Sequence, residues 1–244
     1  MPIDYSWIGE KDIAHRGLYK AGTNREENTL AAIEAAVNKG YAVEIDVRLT
    51  ADGSVVVFHD ARLERLTNGR GYVSEHSYKE LKQLTIGQSD QKMPLLSDVL
   101  DLINERVPLY VEAKCPLRQD PNQVCAAIRF AFEGYIGQFA IMSFNPKVPL
   151  WLKENFPDYA RGQVIDFQGL STWQKLFMTR YYLAKVDPHF MAVDINSLPS
   201  RLTEKWRGKG KPLLTWTVKS KGQEDVGRES ADALIFESPA VVDC

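Results

Sequence analysis

Short apolar runs alternate with amphipathic stretches along most of the 244-residue chain. The runs at 13–17 (IAHRG), 41–49 (YAVEIDVRL), 108–114 (PLYVEAK), 139–145 (FAIMSFN), 159–165 (YARGQVI), 190–196 (FMAVDIN), 212–218 (PLLTWTV) and 233–239 (ALIFESP) read as strands. The segments between them carry apolar residues at helical spacing. Asn28 is expected to cap TLAAIEAAVNK, with Leu30, Ile33 and Val37 on one face and Gly40 as its stop. Asp52-Gly53 turns the chain into SVVVFHD, a hairpin-like return. Residues 61–93 are polar and irregular, an excursion from the rhythm.

About eight strands separated by helices predict a closed parallel (β/α)8 TIM barrel, with the excursion as a small insertion after the second strand. The alternative is an open doubly wound sheet, but the glycine-rich GxGxxG turn is absent. Residues 1–11 show no clear helix, and only AVVDC follows the last strand, so the outer helical ring is expected to be incomplete. The length suits one domain over 1–244.

Composition narrows the setting. Hydrophobic residues make up 44% and charged residues 25%, enough for a sizeable core, and the net charge of -2 argues against bulk nucleic-acid binding. The N-terminus has no basic stretch followed by an apolar core, and no window is long and apolar enough for a membrane span. A cytoplasmic protein with no stable membrane insertion is expected. The three cysteines, Cys115, Cys125 and Cys244, are odd in number and unpatterned, which fits free thiols. No feature signals an oligomeric state.

The chemistry concentrates in VEIDVRLTADGSVVVFHD. Strand side chains alternate, so Glu44 and Asp46 share one face while Val43, Ile45 and Val47 take the other. In YVEAK, Glu112 and Lys114 share a face. Both pairs lie near the C-terminal ends of their strands, where barrels build active sites. Acids turned inward lose hydration and repel each other unless a cation is near. Three carboxylates form a hard oxygen site suited to one divalent cation, Mg²⁺ or Ca²⁺. A wet edge strand and an ordinary Glu112–Lys114 ion pair would satisfy the same spacing. His15 and His59 stand at strand ends, His15 next to Arg16. Either alone reads as structural. Together with a cation and Arg16 they compose the parts for phosphate-ester cleavage by acid/base catalysis.

AHRG, EENTLAAIEAAVNKG, VEIDVRLTADGSVVVFHD, LTNGRGYV, MPLLSDVL, YVEAK and TWTV resemble, in order, the motifs of the glycerophosphodiester phosphodiesterase family. The resemblance spans nearly the whole chain. It implies a (β/α)8 barrel that hydrolyses glycerophosphodiesters to glycerol 3-phosphate and an alcohol with a divalent metal. Residue by residue, it implies Glu44, Asp46 and Glu112 as metal ligands and His15 and His59 as the acid/base pair. It also implies Arg16 and Lys114 as phosphate contacts, and Phe144 and Trp216 as aromatic lining of the substrate pocket.

The chain departs from the family pattern in three places. Glu26 stands where proline usually precedes the ENT motif, FESP replaces a threonine-aspartate pair before the last proline, and the C-terminal helix is short. These departures avoid the seven matched metal, histidine and phosphate positions and bear on which alcohol is released. The same chemistry on a sugar- or lysophospholipid-containing diester is one alternative, and a non-catalytic barrel that binds a phosphorylated ligand is another. His76 and His189 lie outside the motifs and read as surface or structural. The aromatic-rich TWQKLFMTRYYLAKV reads as barrel packing rather than a membrane-touching helix.

Overall fold

The computed structural model describes residues 4–168, 173, 181 and 183–237. Eight parallel strands close into a barrel: β1 (Ile13–His15), β2 (Ala42–Leu49), β4 (Leu109–Ala113), β5 (Phe139–Ser143), β6 (Ala160–Ile165), β7 (Phe190–Asp194), β8 (Leu213–Val218) and β9 (Ala233–Phe236). β1 pairs with both β2 and β9, which makes it the seam. β3 (Val55–Val57) lies antiparallel on the end of β2, the return that the Asp52-Gly53 turn predicts.

Helices α1 (Leu30–Asn38), α3 (Leu96–Ile103), α4 (Asn122–Ala131), α5 (Lys147–Asn155), α7 (Arg201–Arg207) and α8 (Lys221–Ser230) fill the connections. Val43, Ile45, Val47, Val111 and Ala113 point outward and pack with Ile33, Val99 and Ile103 from α1 and α3. Segment 61–93 contains the short α2 (Tyr78–Leu81) and a small core of its own, where Leu63, Leu66, Val73, Leu81 and Ile86 pack on Val56 and Phe58. Most of the aromatic-rich helix expected over 172–186 lies outside the described residues, as do Cys244 and the end of FESP. Its last turn, α6 (Leu183–Val186), is helical.

Inward residues change character along the barrel axis. Near the N-terminal end Ile13, Tyr110, Ala140, Phe190 and Ala192 form an apolar plug. Gly162 makes room for it, because a Cβ there would lie 2.2 Å from the Phe190 ring. No helix precedes β1 among the described residues. Instead the turns after residue 4 bring Trp7 and Ile8 against the plug, and the backbone N–H of Gly9 donates to the Tyr110 hydroxyl at 3.4 Å. Tyr5 stacks on His189 at 4.1 Å, which gives His189 the structural role expected of it. Toward the C-terminal end the inward positions become Glu44, Asp46 and Glu112. Apolar packing is therefore concentrated below and charge above.

Candidate active site

The β1–α1 turn builds one wall of the site. Arg16 and Gly17 both adopt left-handed backbone, with φ of 57° and 79°. At Gly17 a Cβ would sit 2.6 Å from the Ala32 carbonyl carbon, so α1 can approach only because the residue is glycine. The turn aims the Arg16 backbone N–H at Glu44 Oε2 (3.1 Å). The guanidinium reaches Glu27 Oε1 at 2.8 Å and Asp46 Oδ2 at 3.2 Å.

Thr29, not Asn28, is the N-cap of α1, its hydroxyl accepting from Ala32 N–H. Asn28 instead takes φ 60° and turns its amide inward. Its Nδ2 donates to Asp46 Oδ2 at 2.9 Å, and its Oδ1 accepts from Asp46 N–H at 3.2 Å. Asn and Thr have similar capping preference, so the local pattern does not distinguish them. Only the pairing with β2 does.

Glu44, Asp46 and Glu112 meet with one oxygen from each within 4.8 Å of the others. All three are buried. Lys114 Nζ lies 2.9 Å from Asp46 Oδ1 and 2.7 Å from Glu112 Oε1. Burial and the neighbouring Asp46 and Glu112 push the Glu44 carboxyl well above its ordinary range. Burial also raises Glu112. At Asp46 the cost of burial is outweighed by Lys114 and Arg16, and its carboxyl is held far below the usual range. Glu44 Oε1 is buried and has no hydrogen-bond partner among the described residues. A carboxylate oxygen without a donor, beside two more carboxylates, fits a hard divalent cation.

Each histidine is oriented by an acid. His15 Nδ1 is 2.9 Å from Glu237 Oε1, and His59 Nδ1 is 2.7 Å from Asp60 Oδ1. Although burial raises Glu237, its bonds to His15 and Lys219 outweigh it and bring its carboxyl down to about 2. A carboxylate only accepts, so each Nδ1 carries the hydrogen and each Nε2 is left for chemistry. His15 Nε2 lies 3.8 Å from Glu44 Oε2. Burial lowers the pKa of both rings, with Arg16 adding to the effect, while the neighbouring carboxylates oppose it.

These groups line a cavity of about 200 Å³. His15, Arg16, Glu44, His59, Glu112 and Lys114 form its polar side, and Met142, Phe144, Val164, Trp216 and Ile235 its apolar side. Phe144 and Trp216 meet edge to face at 5.3 Å, and Trp216 Nε1 donates to the Ala192 carbonyl at 3.0 Å. Asp46 lies just beneath, tied to Arg16 and Lys114. The cavity thus gathers the sequence-identified residues, at the C-terminal end of the barrel. Asn28, Glu27, Asp60, Arg65 and Glu237 support them, and none was expected at the site from sequence, Asn28 being read only as a helix cap. Arg65 joins Asp60 to Glu27 Oε1 (2.6 Å), linking the insertion to the β1–α1 turn. Glu237 falls at the place where FESP departs from the family pattern, the one sequence sign of its role.

Comparison with known proteins gives a consistent picture. Residues 15–240 match the family described as the glycerophosphoryl diester phosphodiesterase family. A glycerophosphodiester phosphodiesterase of Caldanaerobacter subterraneus subsp. tengcongensis is 30% identical over 240 residues, covering 93% of each chain. Among solved structures, an Oleispira antarctica phosphodiesterase in complex with the product sn-glycerol-3-phosphate superposes with a TM-score of 0.81 at 26% identity, over 96% of this chain and 95% of that one. A Thermotoga maritima glycerophosphodiester phosphodiesterase superposes with a TM-score of 0.73 at 25% identity, over 92% of each chain.

Proposed function

The chain belongs to the glycerophosphoryl diester phosphodiesterase family and is a phosphoric diester hydrolase, and we propose that it releases glycerol 3-phosphate and an alcohol by paired histidine catalysis beside a carboxylate-held divalent cation. The observation that carries this reading is the convergence of His15, His59, Arg16, Lys114, Glu44 and Glu112 on one cavity, with Asp46 tied to Arg16 and Lys114 beneath it.

Glu44, Asp46 and Glu112 would hold Mg²⁺ or Ca²⁺. The cation would supply charge neutralisation for the phosphate and a lowered pKa for a hydroxyl bound next to it. Arg16 and Lys114 face the phosphoryl oxygens and stabilise the charge that develops on them. Phe144 and Trp216 enclose the carbon skeleton of the glycerol half and exclude water from that side. One Nε2 takes the proton of the substrate's glycerol hydroxyl as its oxygen bonds to phosphorus. The other ring, protonated, gives its proton to the departing alcohol oxygen as the P–O bond breaks. Water then opens the cyclic phosphate with the two rings in reversed roles. Glu237 and Asp60 hold the rings in the tautomer this exchange requires.

The test is glycerol 3-phosphate release from glycerophosphocholine by the purified protein, with Mg²⁺ or Ca²⁺ and again with excess chelator. Release that the chelator abolishes is expected, and His15→Ala and His59→Ala should each lower kcat by ~100-fold or more. Release undiminished by chelator removes the role given to the cation. Near-normal turnover in both histidine variants removes the acid/base mechanism.

A further inference from the structure

A second concavity opens on the far side of His59. Its volume is about 650 Å³, and Arg48, His59, Asp60, Arg62, Glu64 and Arg65 line it. His59 lines both this groove and the active-site cavity. The cavity, at about 200 Å³, is smaller than the ~300–1,000 Å³ of pockets that enclose drug-sized ligands. It has room for one half of a phosphodiester. The other half must extend past a histidine, and the groove begins at one.

The groove's charges are not all paired. Arg65 is tied to Asp60 and Glu27. Arg62 is paired with Glu64 at 2.5 Å and lies over the Tyr72 ring at 4.8 Å. Arg48 differs. Its Nε and Nη2 both donate to the His59 carbonyl, at 2.9 and 2.7 Å, and no carboxylate among the described residues lies within ion-pair distance of it. That pair of bonds fixes the guanidinium plane and leaves its Nη1 edge without a protein acceptor among the described residues. A fixed planar fork of this kind binds phosphate or carboxylate in two-point fashion. Among the described residues, none that lines the groove is a phenylalanine, tyrosine or tryptophan, the aromatic lining that recognition of a quaternary ammonium group would require.

We propose that this groove holds the leaving alcohol of the diester and selects an alcohol bearing an anionic group, a phosphate or a carboxylate, through Arg48. The inference rests on the diesterase reading above and names the substrate class that reading leaves open.

The experiment compares kcat/KM for glycerophosphoinositol and for the same compound with a phosphate on the inositol ring, with glycerophosphocholine as a third substrate. The extra phosphate should raise kcat/KM by about tenfold, the scale of one charge-assisted contact, and the gain should shrink as salt is added. In Arg48→Met the ratio between the two inositol substrates should fall by at least ~5-fold. Because this is a ratio within one preparation, a general loss of folded enzyme leaves it unchanged. Arg62→Met, which keeps the Arg48 bonds, should change the ratio less. Equal rates for the two inositol compounds, a preference for glycerophosphocholine, or an unaltered ratio in Arg48→Met would overturn the inference and leave the diesterase reading standing. Absence of turnover on all three substrates would overturn both.

Discussion

Asn28 shows how one residue departs from the rule that locates it. Its type and place before an apolar helix suggest a cap, yet Thr29 caps and Asn28 binds Asp46 from a left-handed backbone. Asn28→Gly retains access to that backbone while removing the amide. It should cost about 1–3 kcal/mol in denaturant unfolding and lower kcat at least ~10-fold, because a buried Asp46 loses a donor. Asn28→Ala should cost ~1–2 kcal/mol more than Asn28→Gly, the penalty for a Cβ in that conformation. Glu44 is the other informative residue. Its burial beside two acids, with one oxygen unbonded, opposes folding of the metal-free protein. Glu44→Gln should therefore melt no lower than the parent in chelator. Saturating Mg²⁺ or Ca²⁺, at about 100 times Kd, should stabilise the parent by ~2.7 kcal/mol and the variant much less. A parent Tm indifferent to both cations would count against the carboxylate site. That Glu44 and Asp46 share one face, and Glu112 and Lys114 another, was readable from sequence because strand period alone decides it, whereas the inward direction of those faces depends on closure of the barrel. Partners such as Glu237 were not readable, because they depend on which strands become neighbours.

At the scale of elements, the strand and helix order was legible almost throughout, since each run carries its own period. The segment before β1 was not. Trp7 and Ile8 form no periodic pattern, and their burial depends on the open end of a barrel that exists only once the strands have closed. The β1–α1 turn is the element on which the site depends most. Gly17→Ala would force its Cβ to within 2.6 Å of α1 backbone. The expected result is a stability loss above ~2 kcal/mol together with a rise in KM. Arg16, next in the chain, would be moved off Glu44 and Asp46. Unchanged KM in a destabilised variant would mean that the turn can shift without carrying Arg16 along.

At the scale of the whole molecule, stability should fall in mild acid for a reason far from the active site. His189 accepts a backbone N–H from Arg161 at Nδ1 and stacks on Tyr5. Burial, with the Arg161 charge, lowers its pKa from 6.5 to about 4. The folded protein keeps this ring neutral, while the unfolded chain takes up the proton near pH 6.5, so stability present above pH 6.5 is lost as pH falls toward 4. The loss at pH 4.5 should be on the order of 2 kcal/mol, reduced by solvent screening of a partly exposed ring. Urea unfolding at pH 7 and 4.5 should show it in the parent and a smaller pH effect in His189→Gln. The seam of the barrel has a different consequence. His15 stands on the first strand, and the carboxylate that orients it, Glu237, follows the last, 222 residues away. A chain still emerging from the ribosome can form most of its secondary structure with that histidine unoriented. On the proposed mechanism, catalytic competence would therefore arrive late in the folding of each molecule, when the last strand docks on the first.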